Sequence, residues 1–196
     1  MRVLISCEYS GTVRDAFIAQ GHDAMSCDLL PTDAPGPHYQ GSVLDIIGDD
    51  WDLLIAFPPC TYLCSSGLHW NQRDLERSKK TESALEFVRT LLDAPIPRIA
   101  LENPVGCIST RIRKPDQYVQ PYNFGHDASK KTGLWLKGLP KLIGTDTVAP
   151  RMVGDKRRWA NQTDSGQNRL TPSPDRWKLR SATYQGIAGA MAQQWG

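Results

Sequence analysis

Short apolar runs alternate with longer amphipathic ones along this chain. Val3-Leu4-Ile5 is a β-rich run. Gly11 to Gln20 then carries Val13, Ala16 and Phe17 at helical three-four spacing, and Gly21 follows as a stop, so the pattern predicts strand, turn, helix. A second apolar stretch, Ala24 to Cys27, ends at Asp28; the proline-rich Pro31 to Pro37 reads as a loop, and Val43-Leu44-Asp45-Ile46 comes next. Trp51 to Phe57 is nearly continuous in apolar residues, as a central parallel strand covered on both faces must be, and Pro58-Pro59 stops it. Residues 72–93 form an amphipathic helix closed off by Pro95 and Pro97. Arg98 to Leu101 is a further strand ending in Glu102 and Asn103. Tyr118 to Phe124 and Gly133 to Leu136 read as later strands, and Tyr184 to Trp195 as a terminal helix. Residues 139–183 are rich in Pro, Arg and Lys with little periodicity.

Strands alternating with helices predict an α/β doubly wound sheet, whose ligands collect outside the carboxyl ends of the strands. The residues stationed there are Cys7 to Gly11, Asp28, Asp45, Cys60 and Glu102. At 196 residues the chain is expected to form one domain with at most a small appendage. No stretch approaches the roughly 18 to 20 apolar residues of a membrane span, so no membrane partner and a cytoplasmic location are expected. The five cysteines lack CxxC pairs, which predicts reduced thiols and no metal site. Charge divides the chain: residues 1–100 hold eight Lys or Arg against fourteen Asp or Glu, and residues 101–196 hold fifteen against seven. A basic half is a footprint for polyanions, with a solvated face as the alternative.

The first turn contains neither GxGxxG nor a P-loop, and Glu8 would repel a dinucleotide phosphate. Acidic residues at successive strand ends suit a ligand with ribose hydroxyls and an exocyclic amine but no phosphate, a description that S-adenosylmethionine meets. Equally, Asp28 and Asp45 could merely begin loops or cap helices. Cys60 follows two prolines that rigidify its loop; its thiolate could attack an electrophilic carbon while Glu102, made more basic by burial, supplies acid. The alternative for such a cysteine is a small buried hydrophobe.

Together these residues resemble the DNA cytosine-5 methyltransferase family, specifically its short phage-encoded type. Phe57 to Cys60 (FPPC) resembles the family's Pro-Cys motif and Leu101 to Pro104 (LENP) its Glu-Asn-Val motif. Cys7 to Phe17 (CEYSGTVRDAF) is similar to the cofactor loop, and Tyr184 to Trp195 to the closing helix. The resemblance implies a Rossmann-like S-adenosylmethionine-dependent methyltransferase sheet spanning 1–196, with Cys60 and Glu102 catalytic. It implies cofactor contacts from Cys7, Glu8, Tyr9, Ser10, Gly11, Asp28, Leu29, Asp45, Ile46 and Pro58. It implies contacts to double- or single-stranded DNA from Arg73, Lys130, Lys131, Arg157 and Arg158. In the implied reaction Cys60 adds to carbon 6 of cytosine, carbon 5 takes the methyl group, and elimination of Cys60 restores the ring.

The sequence departs from that pattern in several places. Thr61 follows the cysteine where the family has Gln, the final motif lacks its Asn at Gln185 to Ala188, and the arginine-rich strand motif is reduced to Ser129-Lys130-Lys131-Thr132. Only 81 residues separate Glu102 from Tyr184, too few for a full target-recognition domain. Residues 139–183, a small basic insertion with nine Lys or Arg against four Asp, would stand in its place, with Trp159 and Trp177 available to stack on bases or to cover the sheet. Two other readings remain: a pyrimidine carbon-5 modifier acting on RNA or a free nucleotide, and a non-catalytic DNA-binding protein of the same fold.

Overall fold

The central strands are apolar at every position because both of their faces are covered. In the computed structural model, which describes residues 1–196, β1 (Arg2–Ser6) and β4 (Leu53–Ala56) are fully buried beyond Arg2. Val3, Ile5, Leu53 and Ile55 point to one face, where Val13 and Phe17 of α1 (Thr12–Ala19) and Met191 and Trp195 of α6 (Gln185–Trp195) cover them. Leu4, Leu54 and Ala56 point to the other, under Leu85, Val88 and Leu91 of α3 (Leu75–Leu92). Alternate residues of one strand thus belong to two different cores, as the period of two requires.

The remaining strands are β2 (Asp23–Asp28), β3 (His38–Gln40), β5 (Arg98–Pro104), β6 (Gln117–Val119) and β7 (Thr132–Lys137), joined with β1 and β4 in the sheet order β3-β2-β1-β4-β5-β7-β6. All pairings from β3 to β5 are parallel; β7 runs antiparallel to both β5 and β6. The sheet order reverses direction at β1 and β4, the crevice at which doubly wound sheets take ligands. No helix is long and apolar enough to cross a membrane.

Four details differ from the pattern-based expectations. Strand β5 does not end at Leu101: pairing with β7 carries it through Glu102, Asn103 and Pro104. The expected strand Tyr118 to Phe124 stops at Val119, because Pro121 cannot donate to a ladder and opens a short 3-10 turn, Pro121–Asn123. The helix expected over 72–93 starts at Leu75, where the Asp74 side chain accepts from the Arg77 amide at 3.0 Å. Residues 139–183 hold a hairpin, β8 (Arg151–Val153) and β9 (Lys156–Arg158), and a short helix α5 (Arg176–Ser181). Two further short helices, α2 (Ser65–Leu68) and α4 (Ile108–Arg111), complete the chain.

Candidate active site

A difference in strand length opens the site. β4 ends at Ala56, opposite Leu101, whereas β5 continues to Pro104 with β7 on its other edge. Glu102, Asn103 and Pro104 therefore lie beyond the end of β4, beside the loop that Pro58 and Pro59 divert from the sheet. Asn103, 1% exposed, donates from Nδ2 to the Pro58 carbonyl at 2.8 Å and ties that loop to β5. The Cys60 carbonyl accepts from the amides of Leu63 (3.0 Å) and Cys64 (2.9 Å), which winds the loop into a turn. Beyond it, the Cys107 amide donates to Leu63 (2.8 Å) and the Ser65 amide to Val105 (3.1 Å). Gly106 sits inside this ladder, and a Cβ there would overlap the Leu63 carbonyl oxygen. The loop carrying Cys60 is thus held at both ends by the segment carrying Glu102.

Cys60 and Glu102 line one cleft, of about 120 Å³, together with Cys7, Tyr9, Pro58 and Lys130, and residues 180–183 close its far side. Burial pushes the Cys60 thiol up, and Cys64 and the Glu102 carboxylate push the same way; the Lys130 ammonium opposes them. Burial likewise raises Glu102, against Lys130 and the Thr132 hydroxyl. The cleft thus pairs a carboxyl that retains its proton above the ordinary carboxylate range with a thiol close enough to sense its charge. One cation serves both. Lys130 Nζ also donates to the Arg180 carbonyl at 2.8 Å, and this lysine, expected among the nucleic-acid contacts, lines the cleft.

The first turn is built differently from a phosphate cradle. Glu8, 4% exposed, folds back over the start of α1 and accepts from the amides of Val13 (2.7 Å) and Arg14 (3.3 Å) and from Ser10 Oγ (3.2 Å). Its own carboxylate fills the helix N-terminus that would otherwise hold an anion. Glu8 thus caps its own helix and also lines the cleft. Gly11, at φ 75, leaves room for the fully buried Arg14 guanidinium, which donates to Ser26, Thr32, Ala34 and Pro35 and pairs with Asp15 at 2.8 Å. Gly11 therefore accommodates Arg14. Tyr9 is also committed: its hydroxyl lies 3.0 Å from Ser181 Oγ and 3.3 Å from the Lys178 carbonyl, tethering α5 over the cleft.

Asp28 and Asp45 lie outside the cleft proper, at the ends of β2 and of the short turn Val43–Asp45. Asp28 accepts from the Leu30 amide (2.9 Å) and Asp45 from the Tyr39 hydroxyl (3.2 Å); in each, the second carboxylate oxygen is available. Leu29 beside them is 74% exposed and Ile46 half-buried. Cys7, held at φ 58, joins the two regions, since its thiol lines the cleft and is pushed up to about 12 by burial and by Asp28. Cys7 thus lies between the influence of Asp28 and the cleft that holds Cys60. Free carboxylate oxygens beside exposed apolar side chains, with the helix N-terminus already filled, fit S-adenosylmethionine by the chemistry of the donor set.

The expected DNA contacts are scattered. Arg73 is exposed just before α3, and Lys131 Nζ lies 4.2 Å from the centroid of the Tyr118 ring. Arg157 is exposed on β9, but Arg158 is engaged with the Asp164 carbonyl at 3.0 Å. Trp159 is buried and stacked on Tyr122 (4.0 Å, 8°), which makes it structural; Trp177, half-exposed, packs 5.7 Å from Tyr9. The sequence reading passed over Arg180, Ser181 and Thr183 as cleft residues, because only long-range contacts bring them there.

Comparison with protein-family profiles finds no match, and comparison with curated protein sequences finds none. Among solved structures, the chain is similar to a candidate DNA modification methyltransferase encoded within an E. coli prophage, with a TM-score of 0.46 and 16% identity over 75% of this chain and 53% of that one. This chain spans about half the length of that protein, and a likeness so distant carries no argument about chemistry.

Proposed function

We propose that this chain is a DNA cytosine-5 methyltransferase that works through a covalent Cys60 adduct. The observation that carries the reading is the shared cleft: Cys60 and Glu102 line it from adjoining strand ends, and the Lys130 ammonium, which lines it too, acts on both. Cysteine adds to an aromatic ring only if the ring accepts a proton or a strong hydrogen bond as its electrons shift. Glu102, kept protonated by burial, supplies this at nitrogen 3 of cytosine while Cys60 Sγ bonds to carbon 6. The π bond between carbons 5 and 6 opens, and carbon 5 becomes nucleophilic. Asp28, Leu29, Asp45, Ile46 and the Cys7 to Ser10 turn would hold S-adenosylmethionine, which would supply the electrophilic methyl group. Solvent water takes the carbon 5 proton, the Glu102 carboxylate takes back the proton on nitrogen 3, and expulsion of Cys60 returns the aromatic ring and the thiolate. Lys130 steadies, through its field, the thiolate and the carboxylate that Glu102 becomes once its proton has moved to the ring. The base must leave a duplex stack to reach this cleft.

The test is to treat DNA with the protein and S-adenosylmethionine, digest it and weigh the nucleosides. The expected product is deoxycytidine heavier by one methylene unit, absent with Cys60→Ala. Gain on another nucleoside moves the chemistry to a different pyrimidine, and no gain with retained DNA binding leaves a non-catalytic binder.

A further inference from the structure

β8 and β9 form a ribbon that buries almost nothing and is nevertheless held firmly. Arg151 pairs with Asp164 at 2.7 Å and donates to the Gln162 carbonyl at 2.9 Å, and Arg158 donates to the Asp164 carbonyl. These arginines face the supporting loop. At the ribbon's foot, Trp159 stacks on Tyr122, and Asn161 exchanges two hydrogen bonds of 2.9 Å with Ser129, the neighbour of cleft-lining Lys130. A two-stranded ribbon alone is marginal in water, so these anchors explain its order.

The opposite face is bare. Met152 and Arg157 are cross-strand partners, and both are exposed, Met152 at 59%. Lys156 stands beside the tight Gly154-Asp155 connection, where Gly154 takes φ 57. Neither Lys156 nor Arg157 has an intramolecular ion pair; Asp164 is engaged by Arg151, and Asp155 stands exposed in the turn beside Lys156. Strands of three residues project roughly 10 Å. That matches the major groove of B-DNA, about 12 Å wide and 8.5 Å deep, which admits a two-stranded ribbon.

We infer that this ribbon enters the major groove of duplex DNA, with Arg157 and Met152 at base edges and Lys156 at a phosphate. The inference rests on the chain being a DNA-modifying enzyme and assigns its sequence-reading element. An arginine suits guanine and a thioether the methyl group of thymine. Three residues per strand limit the readout to a few base pairs. Single strands offer no groove, and the major groove of duplex RNA is too narrow.

The test measures affinity of the full-length protein for one sequence as duplex DNA, single-stranded DNA and duplex RNA across a salt series. Wild type is compared with Lys156→Gln and Arg157→Gln, both exposed, with thermal melting as the folding control. Arg157→Gln should weaken duplex DNA binding on the order of tenfold and leave the other two ligands unchanged; Lys156→Gln should lower the salt slope by about 1. Unchanged duplex binding, or equal loss on all three ligands, overturns the assignment. If wild type methylates DNA while both variants bind like wild type, only the ribbon's role is lost; if wild type neither binds nor modifies DNA, the enzymatic reading is lost as well.

Discussion

Replacing Asn103 separates positioning from chemistry, because its amide touches no reacting atom in the proposed scheme. Its Nδ2 holds the Pro58 carbonyl at 2.8 Å, and both residues are buried. Asn103→Ala leaves that carbonyl without its partner, a loss of about 1–3 kcal/mol. Part is recovered, because Asn103 Oδ1 is itself buried without a partner and disappears with the side chain. The expected net destabilisation is about 1–2 kcal/mol. Asn103→Asp should cost more, since an ionised carboxylate cannot donate to Pro58 and lies next to Glu102. A loop displaced by about 1 Å can lose on the order of a hundredfold in rate. Urea unfolding reads the stability, and the rate of Cys60 adduct formation at saturating DNA, compared with DNA affinity, reads the positioning. We expect the rate to fall far more than the affinity. An Asn103→Ala protein with wild-type adduct rate, or an Asn103→Asp protein as stable as wild type, would refute the reasoning.

Further outcomes follow from other contacts. Gly106→Ala drives a methyl group into the Leu63 carbonyl and should destabilise by about 1–3 kcal/mol while slowing the adduct step, as unfolding curves and single-turnover rates will show. Arg14→Met strips partners from Ser26, Thr32, Ala34 and Pro35 and should cost about 3–5 kcal/mol, with limited proteolysis appearing first within residues 29–37. Alkali should weaken the fold through Cys7, whose thiol is raised from 9.0 to about 12. The unfolded thiol loses its proton first, so the folded state binds more protons and stability falls as pH rises through that window, by up to about 1.4 kcal/mol per pH unit. Cys7→Ala should flatten the slope, and an unchanged slope contradicts the burial assigned to this thiol.

The sequence carried the parts that depend on local pattern. Apolar runs at Val3 to Ile5 and Trp51 to Phe57 announce strands covered on both faces, and Pro58-Pro59 marks where one of them must leave the sheet. Long-range pairing was hidden. That β5 runs on through Glu102 depends on antiparallel β7, thirty residues later, and nothing near Glu102 signals it. Glu8 is legible as an acid where phosphates are absent, but not as the cap of its own helix, because that role requires the turn at Gly11 to bring the carboxylate back onto Val13 and Arg14. The closure of α5 over the cleft through Tyr9 joins residues 172 apart in sequence.

The most direct measurement of the central claim uses duplex DNA containing 5-fluorocytosine with S-adenosylmethionine, followed by peptide mass mapping. Fluorine at carbon 5 cannot leave as a proton, so the account predicts a persistent protein–DNA adduct on Cys60, abolished by Cys60→Ser and strongly slowed by Glu102→Gln. An adduct that forms equally well without Cys60, or that maps to Cys7 or Cys64, contradicts it.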